Sequence, residues 1–130
     1  MTIIYDWSRW FPAAAPTAPT SVGLIPARTR HPAELMNVRF QKTDQGIDRV
    51  FTFRITSGVF NNHEVNYRVK AIRPGRLKPL LDVILPSGVE RADLIVSRNP
   101  AVWLEKLKGR GATIVVDVFK EFNYIADILP

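Results

Sequence analysis

Two stretches of this chain alternate between apolar and polar residues, a pattern typical of half-buried β-strands. In residues 49–56, the apolar Phe51, Phe53 and Ile55 alternate with polar side chains, and residues 64–72 repeat the pattern. Successive side chains of a strand point to opposite faces, so each segment turns one face to a core and the other to solvent. The connection between them is rich in residues that favour turns, which predicts that the two strands pair as a hairpin.

Four further segments also have strand character. The segment 36–42 alternates in the same way, and 112–122 is rich in β-branched residues. The run 80–85 is almost entirely apolar and is bounded by prolines, as expected of a short strand covered on both faces. A turn then leads to 91–97, which we predict to be the partner strand of that run.

One helix is predicted over residues 100–108. Asn99 can cap it, Pro100 suits its first position, and Gly109 can end it. Its apolar stripe consists of Trp103, Leu104 and Leu107. A helix this short is not stable alone, so we expect it to pack against the sheet.

These elements predict a mainly β fold, a small barrel or sandwich of about six strands with one short helix and an extended N-terminal arm. A jelly roll, an OB-like barrel and an immunoglobulin-type sandwich all remain open, because strand order cannot be read from the sequence. A chain of 130 residues can bury a sufficient core in one unit. We therefore expect a single β-rich domain over residues 34–130.

Residues 1–33 are expected to form an extended arm that is rich in proline and alanine. The segment carries five of the chain's ten prolines, and each proline favours extended geometry around it. Trp7, Trp10 and Phe11 are spaced to share one face of a helical turn. Large aromatic side chains dominate interfaces when they enter pockets, so we predict that these three bind a partner. The alternative is that they fold back onto their own domain.

The inventory of reactive groups argues against catalysis. The chain has no cysteine, which excludes disulfides, thiolate metal sites and a cysteine nucleophile. His31 and His63 have no carboxylate at metal-ligand spacing, and the common glycine-rich and nucleophile motifs are missing. Asp82 and Asp117 interrupt apolar segments, but exposure to water or pairing with an arginine explains them as well as acid–base chemistry does. We expect no catalytic residue, no metal site and no cofactor.

A cluster of basic residues lies in the segment 68–78, which contains no acidic residue. Its members are Arg68, Lys70, Arg73, Arg76 and Lys78. The net charge of the chain is +6, which favours contact with phosphate or with acidic surfaces. We predict that the cluster binds nucleic acid or an acidic protein surface, with an ordinary solvated face as the alternative. Phe53 and Tyr67 are not expected to stack on bases, because the alternation assigns both to the core.

A compact β domain with an extended arm and no catalytic set is similar in general plan to small bacteriophage virion proteins, such as capsid cement, connector or tail components. The resemblance implies a non-enzymatic structural subunit that locks onto copies of itself or other structural proteins, in the virion or in the cytoplasm before assembly. The alternative is an OB-like protein that binds single-stranded nucleic acid through the basic cluster. Signal-peptide and membrane-spanning patterns are missing, so no membrane partner is expected.

Overall fold

A computed structural model describes residues 24–85 and 91–130 of the chain. The described part contains five strands: β1 (Thr29–Thr43), β2 (Gly46–Ile55), β3 (Glu64–Val69), β4 (Gly111–Phe119) and β5 (Phe122–Leu129). Between β3 and β4 it contains a 3₁₀ turn (Pro74–Arg76) and three helices: α1 (Leu77–Ile84), α2 (Arg91–Val96) and α3 (Pro100–Leu107). The predicted mainly β class is confirmed.

The five strands form one antiparallel sheet in the order β3-β2-β1-β4-β5. β3 and β5 are its two edges, yet they also lie against each other, without a hydrogen-bonded ladder between them. The described sheet therefore curls into a barrel-like form that is closed along four strand pairs and open along one seam.

The length of β1 allows this curling. Its first part, Thr29–Glu34, pairs with β4, while Ala33–Thr43 pairs with β2. A bulge at Met36 separates the pairs that Leu35 and Asn37 make with β2. Because a bulge bends its strand and increases the local twist, one long strand can serve both sides of the barrel.

The core confirms the period-two analysis of β2 and β3. The alternating apolar residues face inward and are fully or almost fully buried; they are Phe51, Phe53, Ile55, Val65, Tyr67 and Val69. Helix α3 lies against β1 and buries Trp103, whose ring centroid is 5.8 Å from that of Phe51. The predicted helix is confirmed over Pro100–Leu107, and the Asn99 side chain accepts a hydrogen bond from the Ala101 backbone N–H at 3.0 Å.

Two strand predictions are wrong, because residues 80–85 and 91–97 contribute to helices α1 and α2. In α1 the buried residues recur at helical spacing; they are Leu77, Leu80, Leu81 and Ile84. An almost continuous apolar run looks the same whether it forms a buried strand or a buried helix, so its period could not decide between them. The three residues before the run, Leu77, Lys78 and Pro79, form the first turn of the helix.

The folded body begins earlier than the expected boundary at residue 34. Strand β1 starts at Thr29, and Ile25 is only 2% exposed. The Asn123 side chain forms two hydrogen bonds with the Ile25 backbone. Its Oδ1 accepts from the Ile25 N–H at 2.8 Å, and its Nδ2 donates to the Ile25 carbonyl at 2.9 Å. Residues 24–33 thus belong to the body. The rest of the predicted arm, residues 1–23, lies outside the described residues.

Candidate functional site

A groove of about 580 Å³ runs along the open seam between β3 and β5. One wall is basic and comes from β3 and the loop that follows it, and the other is largely aromatic and comes from the β4–β5 hairpin. The lining residues are Asn66, Arg68, Lys70, Arg73, Arg76, Phe119, Phe122, Tyr124 and Ile125. Four of the five predicted basic residues therefore meet in one place.

Lys78, the fifth basic residue, does not line the groove. It lies on α1, where its Nζ is 2.8 Å from the Asp82 carboxylate one helical turn away. The helix that begins at Leu77 places Lys78 on a different element from the other four basic residues. Its inclusion in one binding cluster is not supported by the structure.

Lys70 and Arg73 are the most accessible cations of the basic wall. Both are exposed, and neither forms an ion pair with a carboxylate of the described residues. They lie on the short loop between β3 and the 3₁₀ turn, where the Arg73 backbone N–H donates to the Lys70 carbonyl at 3.0 Å. Their charges are therefore available to an anion in the groove.

Asp48, on β2, fixes the start of this loop. The buried carboxylate accepts from the Ala71 backbone N–H at 3.0 Å and from the Arg68 guanidinium at 2.8 Å. The bond from Ala71 holds the pKa of Asp48 below its ordinary value; burial opposes this shift and Arg68 supports it. Gln41 accepts a second hydrogen bond from Arg68 at 2.8 Å. Arg68 is thus partly neutralised and anchored.

Arg76 is held by the two edges of the seam. Its Nη1 donates to the carbonyl of Arg68 on β3 at 3.3 Å, and its Nη2 donates to the carbonyls of Ile125 and Ala126 on β5 at 2.7 and 3.3 Å. The guanidinium also lies 4.1 Å from the ring centroid of Tyr67, whose hydroxyl donates to the Arg76 carbonyl at 2.6 Å. Most of the donors of this side chain face protein rather than the open groove.

The opposite wall presents three aromatic side chains on one face of the β4–β5 hairpin. Phe119 and Phe122 are direct register partners, and Tyr124 follows Phe122 on the same face. Phe119 is 64% exposed, Phe122 49% and Tyr124 38%. Lys120 forms part of the two-residue turn, and its Nζ lies 5.5 Å from the centroid of the Phe119 ring. The hairpin tip thus combines flat apolar surfaces with positive charge.

Sequence reasoning missed these three aromatics. The sequence predicts one strand over 112–122 and none after it, whereas the structure has two strands, Gly111–Phe119 and Phe122–Leu129. The turn between Phe119 and Phe122 consists of Lys120 and Glu121, which are not typical hairpin residues. The sequence signal that could have identified this strand is the alternation of Phe122 and Tyr124 with Asn123 after the turn.

The other aromatic and ionisable candidates do not line the groove. Phe53 and Tyr67 are buried, which confirms their assignment to the core. Asp82 is paired with both Lys78 and Arg91 at 2.8 Å, and these bonds lower its pKa.

Asp117 and the two histidines make local contacts. Asp117 accepts from the backbone N–H of the next residue at 2.8 Å. His31 lies 2.8 Å from the Thr29 hydroxyl, and His63 lies 3.1 Å from the Phe60 carbonyl. Among the residues that the structure describes, no group of three acidic or histidine side chains could hold a metal ion.

Trp7, Trp10 and Phe11 lie outside the described residues, so their predicted role stays a prediction. Within residues 24–85 and 91–130, no helix has the length and apolar character needed to cross a bilayer. A comparison with protein-family models finds no match, and a search of curated proteins finds no similar sequence.

Proposed function

We propose that this protein binds single-stranded nucleic acid in the groove along the β3–β5 seam. The observation that supports the proposal is the pairing of exposed cations, Lys70 and Arg73, with exposed aromatic rings across one groove. Single-strand binders combine these two features: the cations track the phosphates, and the bases stack on the aromatic rings. This is the alternative function that the sequence predicted from the basic cluster, to which the groove adds aromatic residues.

The aromatic wall favours a single strand over a duplex. Bases in a duplex are stacked on one another and expose only their edges, whereas an unpaired base offers its whole face to a ring. Phe119, Phe122 and Tyr124 lie on one face of a hairpin, so successive bases can lie along them. Stacking of this kind tolerates any base, so we expect weak sequence preference.

The architecture supports the same function. A five-stranded, partly open barrel that binds oligonucleotides is the plan of the OB-fold. This chain has five described strands, an open seam, and helices between the third and fourth strands. Because one fold serves many functions, the groove residues support this function more strongly than the architecture does.

Fluorescence anisotropy with a dye-labelled oligothymidine at low salt tests the proposal. We expect the wild type to bind, and Phe122→Ala to weaken binding by about 1–3 kcal/mol, since that is the usual contribution of one stacked base. Val59→Ala is the matched control, because Val59 is exposed on a loop and does not line the groove. It should bind as the wild type does.

Two results would contradict the proposal. One is a flat titration of the wild type with single-stranded DNA and RNA at low salt. The other is binding that Phe122→Ala and Tyr124→Ala both leave unchanged, since stacking on this wall would then contribute nothing. If a duplex of the same length bound more tightly than the single strand, contacts with the phosphate backbone alone would explain the binding.

A second proposal is the structural subunit that the sequence predicted. Its support is the position of Leu24, the first residue that the structure describes. Leu24 is exposed, and the next residue is held by Asn123 at the base of the aromatic wall. A segment that starts at the surface is in position to reach a neighbouring molecule. Trp7, Trp10 and Phe11 would be its anchors, and a virion is the predicted setting.

A further inference from the structure

We propose that Arg76 is a positioning residue that sets the width of the groove, and that it does not contact the phosphates of the ligand. The inference rests on the proposed function, and it divides the basic cluster into two kinds of residue. Lys70 and Arg73 are available to an anion, whereas Arg76 joins the two strands that form the walls.

The seam needs such a connection. Every other neighbouring pair of strands in the described sheet is joined by a hydrogen-bonded ladder, but β3 and β5 are not. Unjoined edges leave carbonyl groups without strand partners, and buried carbonyls need a donor. The Arg76 guanidinium supplies donors to one carbonyl on β3 and two on β5.

The β5 contact lies at an irregular point of the strand. Asp127 pairs with Val115 and Ile125 pairs with Val116, so Ala126 has no register partner on β4. Such a bulge leaves its extra residue unpaired in the ladder. Arg76 donates to the carbonyl of this residue and to that of the residue before it. The side chain therefore recognises a specific feature of the opposite strand.

The geometry requires a guanidinium. Arginine offers five donors in a rigid, planar fork, whereas lysine offers a compact ammonium at the end of a flexible chain. The plane of Arg76 also lies over Tyr67, a core residue of β3, which adds a cation–π contact. Lysine at position 76 would keep the charge and lose the bridge between the strands.

Salt-dependent binding separates the two roles. For a single strand, the slope of log affinity against log salt changes by about 0.7 for each phosphate contact that is removed. We expect Arg73→Ala to reduce the slope by about this amount and Arg73→Lys to leave it unchanged. Arg76→Lys and Arg76→Ala should both lower oligothymidine affinity at least about fivefold with an unchanged slope. All four variants are measured in the full chain at a temperature where circular dichroism shows them fully folded.

If Arg76 only stabilised the fold, the fully folded Arg76 variants would bind oligothymidine with wild-type affinity. A lower affinity at an unchanged salt slope is therefore the result that indicates a positioning role. The inference is overturned if Arg76→Lys binds as the wild type does, or if Arg76→Ala reduces the slope as much as Arg73→Ala. If the wild type binds no oligonucleotide, the proposed function fails and with it the ligand part of this inference. In that case thermal unfolding tests whether Arg76 joins β3 to β5. The unfolding midpoint of Arg76→Lys should lie at least about 3 °C below that of Arg73→Lys, and equal midpoints would overturn this part of the inference.

Discussion

Asp48 shows how one side chain supports the site without lining it. Its carboxylate is buried and joins the loop of Lys70 and Arg73 to the body through the Ala71 N–H, while Arg68 neutralises its charge. The alternation of apolar and polar residues assigned Arg68 to the outer face of β3. Only the pairing of β3 with β2, the strand that carries Asp48, brings Arg68 close to that carboxylate. The need for a buried partner could not be read from one sequence.

The Asp48 interaction predicts a pH-dependent stability. Asp48→Asn removes the charge that Arg68 pairs with, so we expect a loss of about 1–2 kcal/mol in the free energy of unfolding at pH 7. The folded-state pKa of Asp48 lies below its ordinary value of 3.8. Its contribution is therefore complete above that value and is lost as the pH falls through the folded pKa, where the wild type and variant should converge.

Urea denaturation at neutral pH and at about pH 2 measures the effect. Asp44→Asn is the control, because Asp44 is exposed in the turn between β1 and β2 and should change stability by less than about 0.5 kcal/mol. A loss from Asp48→Asn that stays constant from neutral to acidic pH would contradict the assigned cause.

The turns and helices show which elements a sequence specifies well. The β2–β3 hairpin and helix α3 follow from strong local patterns, and both are observed. The segments that became α1 and α2 carry apolar residues without a decisive period, and the packing of their buried side chains into the core determines their form. The aromatic wall was missed for a similar reason, since its turn lacks glycine and asparagine. The basic wall was predicted because five cations without an acid stand close together in the sequence.

The turn between β1 and β2 depends on Gly46. Its φ of +126° is one that other residues rarely adopt, and an added Cβ would lie 2.9 Å from the Ala71 Cβ. We expect Gly46→Ala to cost about 1–3 kcal/mol through backbone strain and this overlap. Gly75→Ala is the matched control, because nothing lies within 4 Å of its Cβ position.

Thermal or urea unfolding compares the two variants. The clash involves the same loop residue that Asp48 holds, so Gly46→Ala should also weaken oligonucleotide binding by displacing Lys70 and Arg73. Equal stability of the two alanine variants would show that the turn accommodates a side chain, and that the loop is less constrained than its contacts indicate.

At the scale of the whole molecule, the sequence separates an N-terminal segment from a β-rich body. If Trp7, Trp10 and Phe11 bind a neighbour, the full-length wild type should form a species larger than one chain, and changing all three to alanine should reduce it to a monomer. Light scattering after size-exclusion chromatography measures both masses. The reason is that large aromatic anchors supply most of the free energy of such contacts.

Equal masses for the wild type and the triple variant would contradict the assembly role. If the triple variant also loses stability, the three aromatics pack against their own body, which is the alternative that the sequence left open. If stability and mass are both unchanged, residues 1–23 contribute to neither, and the groove carries the function alone.

The open seam also determines which part of the body loosens first. We expect amides inside the four ladders to exchange slowly with deuterated solvent, because their release requires neighbouring strands to separate. The facing edges of β3 and β5 are joined through the Arg76 side chain and should exchange faster. A ligand that lies across both edges ties them together, and it raises the free energy of unfolding as its concentration exceeds its dissociation constant. If an oligonucleotide binds as proposed, the rigidity of this barrel should therefore increase with the occupancy of its groove.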